Sequence, residues 1–108
     1  MDHVLRSRAA LSVVPAGAAI WRRLHVMALG WDGRQDSLST TVTLATNAIP
    51  CGSCKAHWLE IIRQKPPICT TADEFFALTV DWHNAVNERI GKPVLSVDDA
   101  RKLYSTNG

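Results

Sequence analysis

The stretch Ile49-Pro50-Cys51-Gly52-Ser53-Cys54-Lys55-Ala56-His57-Trp58 sets the tightest limit on what this chain can become. Two cysteines three apart, entering a helix-forming run, share one face of an α-helix. Pro50 suits the approach to a helix start. A thiol in the first turn meets unpaired backbone amides and the positive end of the helix dipole. Both favour the thiolate, which is the reactive form. The same face continues through Trp58, Ile61 and Ile62, so the fold must turn the sulfurs toward its interior or toward something bound there. Such a pair is a redox couple or half of a metal site.

The flanking sequence reads as helices. Gly17, Trp21, Leu24, Ala28 and Trp31 recur at helical spacing over about Ala16 to Trp31, and His25 lies one turn after Trp21. Gly30 and Asp32-Gly33 end that helix. Residues from about Ser37 to Ala48 fit a helix through Leu38, Val42, Ala45 and Ile49. The alternating, β-branched run Thr41–Thr46 also fits a strand. Helix is the preferred reading, with Asp36 or Ser37 as its cap. The cysteine helix runs from about Gly52 to Gln64 and stops at Lys65-Pro66-Pro67. Thr70 or Thr71 caps a long helix, about Ala72 to Ile90, whose core stripe is Phe75, Leu78, Thr79, Trp82, Val86 and Ile90. Gly91-Lys92-Pro93 stops it. Ser96-Val97-Asp98-Asp99 opens a short last helix carrying Ala100, Leu103 and Tyr104. The sum is a small all-α bundle.

Size and charge narrow the function. The 108 residues suffice for one domain and one modest core. A net charge of +2 gives little electrostatic reason to expect nucleic acid. The charge is uneven: Arg6, Arg8, Arg22, Arg23 and Arg34 outweigh Asp2 and Asp32 in the first third, as a solvated basic end or as phosphate contacts. No apolar run is long enough to span a bilayer. The first twenty residues lack a hydrophobic block followed by a small-residue cleavage site. A soluble protein without a clear signal peptide is expected. With 3 cysteines, at least one lies outside any intrachain pair, and a dense disulfide scaffold is excluded.

A polar set interrupts the long helix. Phe76, His83 and Asn87 fall on one strip beside the core stripe, and Asn84 points further round. Asparagine is a poor mid-helix residue. These side chains either lie on a half-exposed face or offer donors and acceptors to a polar ligand along the bundle. His25, beside Trp21, has the same two readings.

Taken in order, these residues resemble the Erv/ALR sulfhydryl oxidases, small helical FAD proteins that make disulfides. The matching pieces are Gly17 with Trp21-Arg22-Arg23-Leu24-His25, then Pro50-Cys51-Gly52-Ser53-Cys54 with His57 and Trp58, then His83-Asn84-Ala85-Val86-Asn87 with Gly91-Lys92-Pro93. The match runs from about Gly17 to Pro93 and favours helix for the second segment. The resemblance implies a four-helix bundle with a short fifth helix, one domain over residues 1–108 with its motif-bearing core at about 16–104. It implies FAD, lined by Trp21 and His25. His83, Asn84 and Asn87 would contact its adenosine part, and Lys92 would lie near the adenine or phosphates. Gly17 and His57 complete the cofactor-binding set. Cys54 would be the charge-transfer thiolate near the flavin, and Cys51 the more accessible sulfur that exchanges with a thiol-containing protein substrate. Electrons would pass to O2, giving H2O2, in a homodimer with no metal.

The chain departs from the family pattern at three places. Ala18 stands where arginine often follows the glycine. Val80 and Val97 stand at the positions of a second disulfide, and no separate shuttle pair is present. Cys69 has no counterpart and is expected to be buried and inert. Three other readings compete. One is a thioredoxin-like thiol–disulfide exchanger, which needs further strands. Another is a zinc site using Cys51, Cys54, Cys69 and His57 or His83, which lacks a second paired spacing. The last is a structural or assembly protein that keeps the bundle without turnover.

Overall fold

A computed structural model describes residues 16–105, and side chains from residue 18 onward. Arg6, Arg8 and Asp2 of the basic end lie outside the described residues. Five helices follow one another: α1 (Ala16–Leu29), α2 (Gln35–Ala48), α3 (Gly52–Gln64), α4 (Ala72–Ile90) and α5 (Val97–Ser105). The described residues contain no strand. This answers the thioredoxin-like reading, which required a sheet. Helix α1 packs on α2 and α4, α3 packs on α2 and α4, and α5 lies against α1 and α4. Four helices therefore close a ring around one core, with the fifth across one side.

Local chemistry sets the helix ends. Helix α1 stops at Leu29, two residues before the expected Trp31, because the chain turns at Gly30. Trp31 stays buried and gives its indole N–H to the Arg34 carbonyl at 2.9 Å. Helix α2 starts earlier than expected, at Gln35, with Arg34 as a cap that makes no side-chain bond. Asp36 and Ser37 thus fall inside the first turn. The work of a cap passes to Asp32, whose carboxylate accepts from Arg34 N at 3.0 Å. The β-branched run of α2 is helical, and three threonine hydroxyls of this helix bond within it. Thr40, Thr41 and Thr46 donate to the carbonyls four residues earlier at 2.9, 2.8 and 2.8 Å. Its buried stripe is Leu38, Thr41 and Ala45.

Helix α4 opens with a complete capping box between Thr71 and Glu74. It closes at Gly91, whose φ of 78° lies in the left-handed region that glycine adopts without strain. Its buried residues are Phe75, Phe76, Thr79, Val80 and Trp82, whereas Ile90 is 56% exposed. The stripe is thus rotated toward Phe76 and Val80 relative to expectation, because α5 covers that side. Val80 is buried and Val97 is packed against the core, so apolar packing occupies the positions of the missing staple. Tryptophans knit the helices together. Trp58 meets Trp82 edge-on at 5.4 Å and donates to Thr46 Oγ1 at 2.8 Å, and Trp82 donates to the Lys65 carbonyl at 2.8 Å. No helix among the described residues is long and apolar enough to cross a membrane.

Candidate active site

The chain reaches α3 in extended conformation through Ile49 and Cys51, so Cys51 becomes the N-cap of α3. Its sulfur takes the place of the usual cap oxygen and accepts the Cys54 backbone N–H at 3.2 Å. The Ser53 hydroxyl lies 3.2 Å from the same sulfur. All three cysteines are free thiols. The Cys54 thiol, the Ser53 hydroxyl and the Cys54 amide all donate to Cys51 and pull its pKa down to about 7. Cys54 moves the other way. Its proton is held in the hydrogen bond to Cys51, and partial desolvation and the charge on Cys51 add to the effect. In the reduced pair Cys51 is therefore the more acidic sulfur, partly ionised at neutral pH. The donors gather at Cys51 because it holds the cap position. One expectation changes: Cys51 is the half-buried residue and Cys54 the exposed one.

Both sulfurs open into a cavity of about 400 Å³, bounded also by Trp21, Ile49, His57 and Arg89. Apart from the thiols, His57 and Arg89, its walls are largely apolar. Burial, and then the charge of Arg89, lower the pKa of His57. Trp21 forms the back wall. Its indole stacks on His83 with centroids 4.2 Å apart and planes 6° from parallel, and it meets Trp58 edge-on at 5.5 Å.

Behind Trp21 lies a pair of histidines. His25 is 1% exposed. Its Nδ1 lies 2.9 Å from Thr79 Oγ1, and its Nε2 lies 2.9 Å from His83 Nδ1. Desolvation, then the neighbouring His83, lowers the His25 pKa to about 3. Desolvation and the charge of Lys92 lower that of His83 to about 4. Both rings are neutral at physiological pH. His83 also faces a second hollow of about 200 Å³, walled in part by Asn84, Asn87 and Tyr104. The Tyr104 ring lies 4.5 Å from that of His25.

The sequence profile of the Erv1/Alr family matches residues 18–105. The chain belongs to the Erv1/Alr family. Among curated relatives, it is 24% identical over 94 residues to an African swine fever virus protein named FAD-linked sulfhydryl oxidase (82% of this chain, 78% of the relative). A Frog virus 3 protein is 40% identical over 57 residues, 52% of this chain and 38% of its own length. An Arabidopsis thaliana protein named FAD-linked sulfhydryl oxidase ERV1 is 29% identical over 92 residues, 79% of this chain and 48% of the relative. No solved structure matches the chain.

The Erv1/Alr residues named from the sequence fall into three groups. Cys51, Cys54, His57 and Trp21 share the larger cavity. His25 and His83 stand behind it and line the smaller hollow with Asn84 and Asn87. Gly17 and Lys92 stand apart: Gly17 is in the first turn of α1, and Lys92 is exposed, with its charge felt at His83. Asn84 is already engaged, donating to the Leu95 carbonyl at 2.7 Å and accepting from Leu95 N at 3.0 Å. Asn87 donates to the Pro93 carbonyl at 3.3 Å. Both amides thus hold the segment that follows α4. Cys69 is buried away from the cavity, and burial raises its pKa. Among the described residues, no group of His, Cys, Asp or Glu is placed to hold a metal ion.

Four residues near the cavity and the hollow were not among the site residues expected from the sequence: Ser53, Thr79, Arg89 and Tyr104. Thr79 did carry a signal, a hydroxyl in an apolar stripe one turn before His83. Arg89 resembles an ordinary basic residue of a helix C-terminus, and Tyr104 arrives from another helix.

Proposed function

We propose that this chain is an FAD-dependent thiol oxidase that converts a protein dithiol to a disulfide through Cys51 and Cys54, with O2 as the final acceptor and H2O2 as its product. The observation that carries this reading is the cysteine pair opening onto a cavity walled by Trp21, on which His83 stacks. The donor set suits FAD. Trp21 offers a flat aromatic wall beside the sulfurs, and His83, Asn87 and Tyr104 line the adjoining hollow. Arg89 supplies a cation at the cavity, and the charge of Lys92 is felt at His83. When bound, FAD supplies the two-electron acceptance and reaction with O2 that side chains lack.

The chain's own part is thiol–disulfide exchange. A substrate thiolate attacks Cys51 Sγ of the oxidised pair. A mixed disulfide forms, the Cys51–Cys54 bond breaks, and Cys54 leaves as a thiolate that takes up the proton of the second substrate thiol. The second substrate thiol, as thiolate, then attacks the substrate sulfur of the mixed disulfide and expels Cys51. A lower leaving-group pKa speeds departure, and that of Cys51 is about 7. The substrate loses two electrons and the cysteine pair gains them.

The test is the purified protein with FAD and dithiothreitol. The expected result is a yellow protein that consumes oxygen, with turnover abolished in Cys54→Ser. A colourless protein that takes up no FAD overturns the reading. A yellow protein without turnover favours a bundle kept for assembly.

A further inference from the structure

The hydrogen bonds around His25 determine more than its position. Thr79 Oγ1 lies 2.7 Å from the Phe76 carbonyl oxygen. A carbonyl oxygen has no proton to give, so the single hydroxyl proton of Thr79 is committed to it. Thr79 Oγ1 can then only accept from His25 Nδ1, 2.9 Å away. His25 must carry its proton on Nδ1. A neutral imidazole has one N–H, so His25 Nε2 is bare. His83 Nδ1, 2.9 Å from that bare nitrogen, must in turn be the donor. His83 is neutral too, because burial and the Lys92 charge oppose its protonation. Its Nε2, on the side of the ring away from His25, is therefore a bare acceptor.

We propose that Thr79 is a positioning residue: through the Phe76 carbonyl it fixes both His25 and His83 as Nδ1–H tautomers, so that His83 presents a hydrogen-bond acceptor on its Nε2. The chain of bonds runs from the α4 backbone across to α1 and back to α4. The placement of Thr79 supports this. It is fully buried among aromatic side chains, where a hydroxyl is retained only if bonded. A valine there would fill the same space with no acceptor. One consequence rests on the FAD reading. The group that meets His83 Nε2 would be a donor, an N–H or O–H of the cofactor, and an acceptor there would be repelled.

The decisive experiment is nitrogen NMR of protein labelled with ¹⁵N-histidine, read through the two-bond couplings of each ring, with His3→Gln and His57→Gln used for assignment. The expected spectrum shows a protonated Nδ1 and a bare Nε2 for both His25 and His83. Thr79→Val should lower the Nδ1–H population of both rings together, and Thr79→Ser should restore it. His25 found as the Nε2–H tautomer, or Thr79→Val leaving both rings unchanged, overturns the proposal. If Thr79→Val does not fold, the wild-type spectrum alone decides, since only one tautomer of His25 agrees with it. FAD titration is the second reading: Thr79→Val should bind roughly fivefold more weakly than Thr79→Ser. Equal affinities overturn the consequence for the ligand, while wild-type protein that takes up no FAD refutes the proposed function and leaves the tautomer result standing.

Discussion

His83 lies flat on Trp21, with ring centroids 4.2 Å apart and planes 6° from parallel. The residues come from α4 and α1, so the stack is a tertiary contact rather than a product of helical spacing. It joins the wall of the thiol cavity to the wall of the second hollow. Trp21→Ala removes that shared wall. The expected outcome is a retained helical circular dichroism spectrum with flavin affinity lowered about tenfold, and Trp21→Phe should keep most of it. The check is the ratio of flavin to protein absorbance after gel filtration. Unchanged flavin content in Trp21→Ala would show that the stack has no part in binding.

The acidity of Cys51 gives a second expectation. Reduced protein should show one thiol ionising near pH 7, its thiolate absorbance rising as pH increases through that value. Cys51→Ser should abolish the step. Cys54→Ser should move it upward, because the Cys54 thiol is the largest single cause of the depression. Ser53→Ala should move it upward by less. A step that survives in Cys51→Ser would transfer the acidic sulfur to Cys54.

Acid should weaken the fold through the histidine pair. The folded pKa of His25 is about 3 and that of His83 about 4, both below the unfolded value of 6.5. The unfolded chain therefore binds the protons first. The contribution to stability is intact above 6.5 and is lost as pH falls toward the folded values. Each histidine adds a slope of about 1.4 kcal/mol per pH unit within its window. Urea denaturation across that range measures it, and His25→Gln should flatten the dependence. An equal slope in wild type and variant would remove His25 from the account.

Asn84 holds Leu95 by two hydrogen bonds, at 2.7 and 3.0 Å. Asn84→Ala should cost about 1 kcal/mol of stability and speed hydrogen exchange at the Leu95 amide. Unchanged stability together with lost FAD binding would make Asn84 a ligand contact instead.

What could be read in advance was what the chain does locally. The Gly91-Lys92-Pro93 stop and the Thr71 cap of α4 depend on residues within a turn of each other, so they hold wherever the helix packs. Helix α2 was harder, since its threonines suit either a strand or a helix until their hydroxyls find the carbonyls of the preceding turn. The core stripe of α4 turned toward Phe76 and Val80 because α5 settles on that side, a fact absent from the periodicity of α4 itself.

The sequence by itself determined that two sulfurs share the first turn of a helix, that this helix belongs to an α-helical bundle, and that aromatic and polar residues of Erv1/Alr type accompany it. Spacing and caps act over one or two turns, and that is why they are legible. Only the tertiary structure decided that His83 stacks on Trp21, that Asn84 serves the backbone of Leu95, and that Thr79 orients a histidine 54 residues away. Those outcomes depend on which groups meet once the helices close on one another, and hydrogen bonds between distant residues leave no period in the chain.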